Sequence, residues 1–139
     1  WGALMGWAAV TGSVQLPALM LYIGGIFWTL GYDTIYAHQD KQDDTKIGVK
    51  STALWLGENS KKAIGGFYLL ACLCWLASGW LTGAGPFFFA GIMLVMLHLG
   101  QQLCRVDLNI PADCKAAFQA NTNTGLLLFI SCLIAFIGT

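Results

Sequence analysis

Residues 63–104 read AIGGFYLLACLCWLASGWLTGAGPFFFAGIMLVMLHLGQQLC, and this stretch decides the fold. Its 42 positions hold no Asp, Glu, Lys or Arg. As a single helix at ~1.5 Å per residue it would be ~63 Å long. That is about twice the ~30 Å hydrocarbon thickness of a bilayer, so the run folds back once. Thr82-Gly83-Ala84-Gly85-Pro86 is a breaker cluster and marks the reversal.

The same pattern extends outward. Residues 1–32 and 116–139 are also free of charge, and all charged residues fall in two clusters, Asp33–Lys62 and Arg105–Lys115. Of the 139 residues 57% are hydrophobic and 10% charged, with 7 Lys+Arg against 7 Asp+Glu and a formal net charge of zero. The mean hydropathy is +0.65. A soluble domain carries roughly 25% charged residues. The composition therefore excludes a disordered chain, a basic nucleic-acid binder and an ordinary water-soluble enzyme. It predicts an all-α, polytopic transmembrane helical bundle forming a single integral-membrane domain.

Helices are expected over about Leu16–Ala37, opened by Pro17, then about Lys61–Leu81, capped by Asn59 or Ser60, then about Phe87–Cys104 and Thr122–Gly138, after a shortened span at about Trp1–Val10. Trp1 opens inside an apolar run with neither a charged leader nor a cleavage site, so no signal peptide is read there. The expectation is a C-terminal piece of a longer protein. The connections carry basic residues in alternation: none at about 11–16, five in Ala37–Lys62, none at 82–86, and two after Cys104. Positive residues favour the cytoplasmic side, which predicts that both charged segments face that side. Cys72, Cys74, Cys104, Cys114 and Cys132 form no C-x-x-C pair and read as packing residues or idle thiols.

The chemistry gathers in Tyr32-Asp33-Thr34-Ile35-Tyr36-Ala37-His38-Gln39-Asp40-Lys41-Gln42-Asp43-Asp44, which holds four of the seven acidic residues. On a continuous helix at ~100° per residue, Asp33, Tyr36, Asp40 and Asp44 share one face about 80° wide, with Asp43 just off it. Like charges one turn apart repel, and an acidic side chain inside the hydrocarbon costs ~2.5–3.5 kcal/mol. Spacing alone leaves two readings open. Either a divalent cation offsets the carboxylates, as hard oxygen ligands suit, or the run is a solvated segment neutralised by Lys41, Lys46 and Lys50. His38 falls off the acidic face and reads as a loop residue. His98, Gln101 and Gln102 read as interhelical hydrogen-bonding groups. Asn121 and Asn123 read as caps or cavity-lining residues.

The longer string is more specific. Asp33-x-x-Tyr36-Ala37-x-x-Asp40-x-x-Asp43-Asp44-x-x-x-Gly48-Val49-Lys50-Ser51-Thr52-Ala53 resembles the second aspartate-rich motif of the UbiA-type intramembrane prenyltransferases, in the form found in the 4-hydroxybenzoate polyprenyltransferase branch. Ala112-Asp113-Cys114-Lys115-Ala116-Ala117-Phe118-Gln119-Ala120-Asn121-Thr122-Asn123-Thr124-Gly125-Leu126 resembles that branch's last loop and helix, and the likeness covers essentially the whole chain. The resemblance implies the C-terminal half of a nine-helix membrane bundle. The other half would carry the first motif, Asn-Asp-x-x-Asp, a pattern this sequence lacks.

The implied activity is transfer of a polyprenyl group from polyprenyl diphosphate to 4-hydroxybenzoate in ubiquinone biosynthesis, with Mg²⁺ as cofactor. The implied setting is the lipid bilayer of a bacterial inner membrane or a mitochondrial inner membrane. By the same resemblance Asp40 and Asp44 are the Mg²⁺–diphosphate ligands, and Asp33 supports them or stabilises charge at the reacting carbon. Tyr36 faces the allylic cation or the diphosphate, and Lys50 meets the diphosphate or the benzoate carboxylate. The missing N-terminal half is the implied partner, without which this chain is expected to be inactive, and no nucleic acid is involved. Another aromatic or quinone acceptor, a divalent-cation transporter subunit, and a non-catalytic scaffold remain alternatives.

Overall fold

The structure is a computed structural model. It describes residues 1–137, except the side chains of Gln42 and Asp43, so Gly138 and the Asp43 carboxylate lie outside the described residues. Among the described residues there is no strand. The helices are α1 (Gly2–Thr11), α2 (Leu16–Gln39), α3 (Lys41–Ile47), α4 (Thr52–Leu56), α5 (Ser60–Thr82), α6 (Pro86–Arg105) and α7 (Pro111–Leu133), with a 3-10 turn at Gly57–Asn59. Three of them, α2, α5 with its preceding turns, and α6, are long and apolar enough to cross a membrane. The fold is all-α and polytopic, as the charge pattern requires.

The reversal expected at 82–86 is present. Gly83 ends α5 in the left-handed region at φ 66°, and Pro86 opens α6. Proline suits a first turn because its missing N–H would have had no helical partner. Pro17 and Pro111 open α2 and α7 in the same way. Ser60 does not cap α5 with its side chain. Its hydroxyl instead donates to the Gly57 carbonyl at 2.7 Å.

Four helices pack in a closed ring, α2–α5–α6–α7, with α1 resting on α2. Each neighbouring pair runs antiparallel. The α2–α5 seam is set by two notches seven residues apart. A Cβ on Gly24 would stand 2.5 Å from Trp75 Nε1, and one on Gly31 would run into the Tyr68 ring. Trp75 and Tyr68 are themselves seven apart, so the register of this seam is fixed by two rings seated in two glycine gaps. Gly79 makes the same kind of room for Phe88 on α6. Small residues at helix contacts are how backbones approach in a membrane bundle.

Polar side chains tie the ring. Tyr68 Oη donates to Gln102 Oε1 at 2.9 Å, and Gln102 Nε2 donates to the Ala117 carbonyl at 2.6 Å, linking α5, α6 and α7. His98 Nε2 lies 3.3 Å from the Ala120 carbonyl, the interhelical role expected of it. Trp28 Nε1 donates to Asn121 Oδ1 at 2.8 Å and joins α2 to α7.

Three expectations are corrected. The last helix begins at Pro111, not near Thr122, so Asn121 sits mid-helix as a buried partner of Trp28 and caps nothing. The segment read as one charged loop contains α3, α4 and the 3-10 turn. His38 is a buried residue in the last turn of α2, not a loop residue.

Candidate active site

The acidic stretch spans the end of α2 and all of α3. The helix does not run through it unbroken. Asp40 sits at the junction with φ −102° and ψ 5°, so a single wheel cannot be drawn from Asp33 to Asp44. Asp33 and Tyr36 keep their shared side on α2, and both are exposed. Asp40 and Asp44 are half-buried. They remain one turn apart, because the Asp44 N–H donates to the Asp40 carbonyl at 2.9 Å.

Gly48 closes α3 in the left-handed region at φ 75°, where a side chain would be strained. The Val49 N–H folds back to the Asp44 carbonyl at 3.0 Å. This capping turns the chain after Asp44, and Lys50 follows outside any helix in an exposed position. Among the described residues no ion pair joins Lys50 to Asp40 or Asp44. The structure therefore brings Asp33 together with Tyr36, and Asp40 with Asp44, along one stretch of surface. It leaves Lys50 apart from both pairs.

Tyr36 belongs to an aromatic series that sequence reading did not assemble. On α2, Trp28, Tyr32 and Tyr36 recur at helical spacing, and Phe118 of α7 packs against the last two. The ring centroids are 5.3 Å apart for Trp28–Tyr32, 5.6 Å for Tyr32–Phe118 and 4.8 Å for Tyr36–Phe118. The four-residue repeat was visible in the sequence; Phe118, 82 positions beyond Tyr36, carried no local signal. Toward the N-terminal side of Asp33, Tyr22, Gly25, Ile26, Trp28, Thr29 and Leu30 line an apolar groove of about 380 Å³.

Carboxylate oxygens are hard donors, and Mg²⁺ typically takes one or two of them, completing its shell with water and phosphate. The donor set of Asp40 and Asp44 fits that partial role. Among the described residues, no group of three or more His, Cys, Asp or Glu side chains is placed to hold an ion alone. None of the described cavities is lined by Asp33, Tyr36, Asp40, Asp44 or Lys50. On this chain the acidic face is thus open to its surroundings.

The family model described as "UbiA prenyltransferase family" matches residues 1–137. The chain belongs to the UbiA prenyltransferase family. It is 46% identical over 135 residues to the "4-hydroxybenzoate polyprenyltransferase, mitochondrial" of Drosophila melanogaster, covering 96% of this chain and 34% of that protein. The rat protein of the same name is 45% identical over 136 residues, covering 96% of this chain and 36% of the relative. The Arabidopsis thaliana protein is 44% identical over 131 residues, covering 93% and 32%. This UbiA-family chain thus spans about a third of the length of the curated relatives it matches. No solved structure matches it.

Proposed function

We propose that this chain carries the second aspartate-rich half of the site of an intramembrane prenyltransferase, which moves a polyprenyl group from polyprenyl diphosphate onto 4-hydroxybenzoate for ubiquinone biosynthesis. One arrangement carries the reading: Asp33 and Tyr36, exposed on α2, lead into the Asp40–Asp44 turn at one end and toward an apolar groove at the other. A diphosphate head and an isoprenoid tail need that sequence of surfaces. The remaining length of the protein, which the relatives have and this chain does not span, closes the open face and brings the first acidic motif. A mitochondrial site of action is in keeping with the relatives' names, and within that compartment the proposal places the chain in the inner membrane.

Asp40 and Asp44 would hold Mg²⁺, which when bound would supply Lewis-acid neutralisation of diphosphate charge. Lys50 supplies a point charge to the diphosphate or to the benzoate carboxylate. As the allylic C–O bond breaks, the diphosphate leaves with the bonding pair, and the Tyr36 ring presents its negative face to the carbocation. Asp33, on the same side of α2, stabilises positive charge at the reacting carbon. The groove between Tyr22 and Leu30 keeps the tail in place and water away from the cation, which water would otherwise trap. The ring carbon beside the hydroxyl of 4-hydroxybenzoate bonds to the cation, and that carbon's proton passes to the departed diphosphate, which restores aromaticity.

The test is an assay of the full-length protein with polyprenyl diphosphate and labelled 4-hydroxybenzoate. Asp40→Ala and Asp44→Ala are each expected to lower product formation by about a hundredfold or more, the scale of losing one charge-stabilising group, and chelation of Mg²⁺ is expected to abolish it. Undiminished product in either variant refutes the assignment, as does ion flux without prenylation.

A further inference from the structure

The acidic face leaves one polar region of the molecule unused. Where the end of α2, the start of α5 and the α6–α7 connection meet, a cavity of about 670 Å³ opens. His38 and five charged residues, Lys41, Glu58, Lys61, Arg105 and Asp107, are among the groups that line it. None of the residues assigned to prenyl transfer lines it. His38 lies ~140° around α2 from Asp33 at ~100° per residue, so the cavity stands on a different side of that helix.

Two independent observations make this a site. First, His38 is 6% exposed, and neither of its ring nitrogens has a hydrogen-bond partner. The Leu108 backbone lies close enough to influence the ring without completing a bond. A buried polar group without a partner is uncommon and calls for a ligand or water. Second, three cations reach one cavity from three elements: Lys41 opens α3, Lys61 lies in the first turn of α5, and Arg105 ends α6. Among the described residues none of the three is in an ion pair. The lining also holds two carboxylates, Glu58 and Asp107, so cations outnumber them three to two; the Asp107 Oδ1 accepts from Asn109 N at 2.9 Å and from Asn109 Nδ2 at 3.1 Å. Cations at the start of α5 also oppose the helix dipole, which favours an anion there.

We propose that this cavity binds a phosphate group, held by Lys41, Lys61 and Arg105 with His38 at its base. A tetrahedral phosphate offers oxygens in several directions at once, which suits donors converging from three elements. Arginine can meet it with two parallel N–H groups while the lysines act as point charges. Basic pockets between membrane helices at their charged ends receive lipid head groups, so the phosphate belongs either to a phospholipid or to a free anion. The inference is independent of the prenyl-transfer reading.

The test uses the full-length protein in phosphatidylcholine nanodiscs, with and without dioleoyl phosphatidic acid. Retained lipid is measured by native mass spectrometry, and inorganic phosphate is titrated separately in detergent. Lys61 and Arg105 are exposed, so K61Q/R105Q should fold, and K62Q removes a neighbouring lysine that does not line the cavity. The double variant is expected to bind about 30-fold more weakly, from about fivefold per cation, with K62Q near wild type. Loss of phosphatidic acid retention that inorganic phosphate does not compete assigns a lipid phosphate, and loss of inorganic phosphate binding assigns the free anion. Retention unchanged in K61Q/R105Q overturns the proposal. So does retention that falls with Asp40→Ala in place of the double variant.

Discussion

Gly24 and Gly25 are adjacent on α2, share its helical backbone, and should respond to the same substitution with opposite sign. In an exposed helix, alanine in place of glycine gains up to about 1 kcal/mol, because glycine loses more backbone freedom on folding. At Gly25 nothing lies within 4 Å of the added Cβ, so Gly25→Ala keeps that gain. At Gly24 the same Cβ would meet Trp75 Nε1 at 2.5 Å, Trp75 Cδ1 at 2.6 Å and the Ala71 carbonyl at 3.0 Å. Trp75 is fully buried, and Ala71 offers backbone, so neither can swing aside.

Forcing a methyl group into a packed interior costs about 1–3 kcal/mol. Displacing the indole also threatens the 3.3 Å hydrogen bond from Trp75 Nε1 to the Leu21 carbonyl, worth about 0.5–1.5 kcal/mol. The two alanines should therefore differ by about 2–4 kcal/mol, nearly all of it from the clash and the lost bond. Denaturation of the purified protein in detergent, followed thermally and with denaturant, measures this difference. Gly24→Ala combined with Trp75→Phe should recover part of the loss, because the smaller ring vacates the notch. Equal shifts at positions 24 and 25, in either direction, would refute the glycine-notch account of how α2 and α5 find their register.

Three further outcomes follow from other contacts. Gly48→Ala places a side chain at φ 75°, a conformation costing about 1–2 kcal/mol for an L residue; it should lower activity by misplacing Asp44 and Lys50 while leaving the melting temperature of the four-helix ring nearly unchanged. Gly25→Phe fills the apolar groove beside Asp33, and the full-length enzyme should then prefer shorter prenyl diphosphates, seen as a shift in product chain length with overall turnover retained on the shortest donor. Asn121→Ala leaves the Trp28 indole N–H without its 2.8 Å partner at a cost of about 1–3 kcal/mol, and Trp28→Phe in the same chain should remove most of that penalty in a double-mutant cycle of melting curves.

How legible the molecule was depended on whether a feature is written locally. The α5–α6 reversal needs only Thr82–Pro86, and the structure places it there. The start of α7 was also written locally, in Pro111 with Asp113 in the first turn. The charges of Arg105–Lys115 masked it, because a charged segment between apolar runs reads as a loop. The short helices α3 and α4, of 7 and 5 residues, are too brief to show a periodicity. The break at Asp40 has neither glycine nor proline beside it to announce it. The burial of His38 and the Trp28–Asn121 bond depend on residues far away in sequence, and no window along the chain contains both partners.

The polar side chains of the apolar helices sort into two sets, and the division bears on function more than the helix boundaries do. Gln102, Asn121, His98 and Ser78 each reach a partner on a neighbouring helix. Such bonds answer the cost of placing an amide, imidazole or hydroxyl away from water, and these groups hold the ring closed. Asp33 is different. It stands exposed on the same helix as Trp28, and among the described residues it makes no hydrogen bond or ion pair. A bundle selected for stability alone would place a leucine there, since a carboxylate near the hydrocarbon is costly and gains nothing from packing. Asp40 and Asp44, farther along the end of α2 and α3, add like-charge repulsion to that cost. Lys41, Lys46 and Lys50 lie in the same stretch and answer part of that repulsion; under the proposed function, a metal-bound diphosphate would answer the rest.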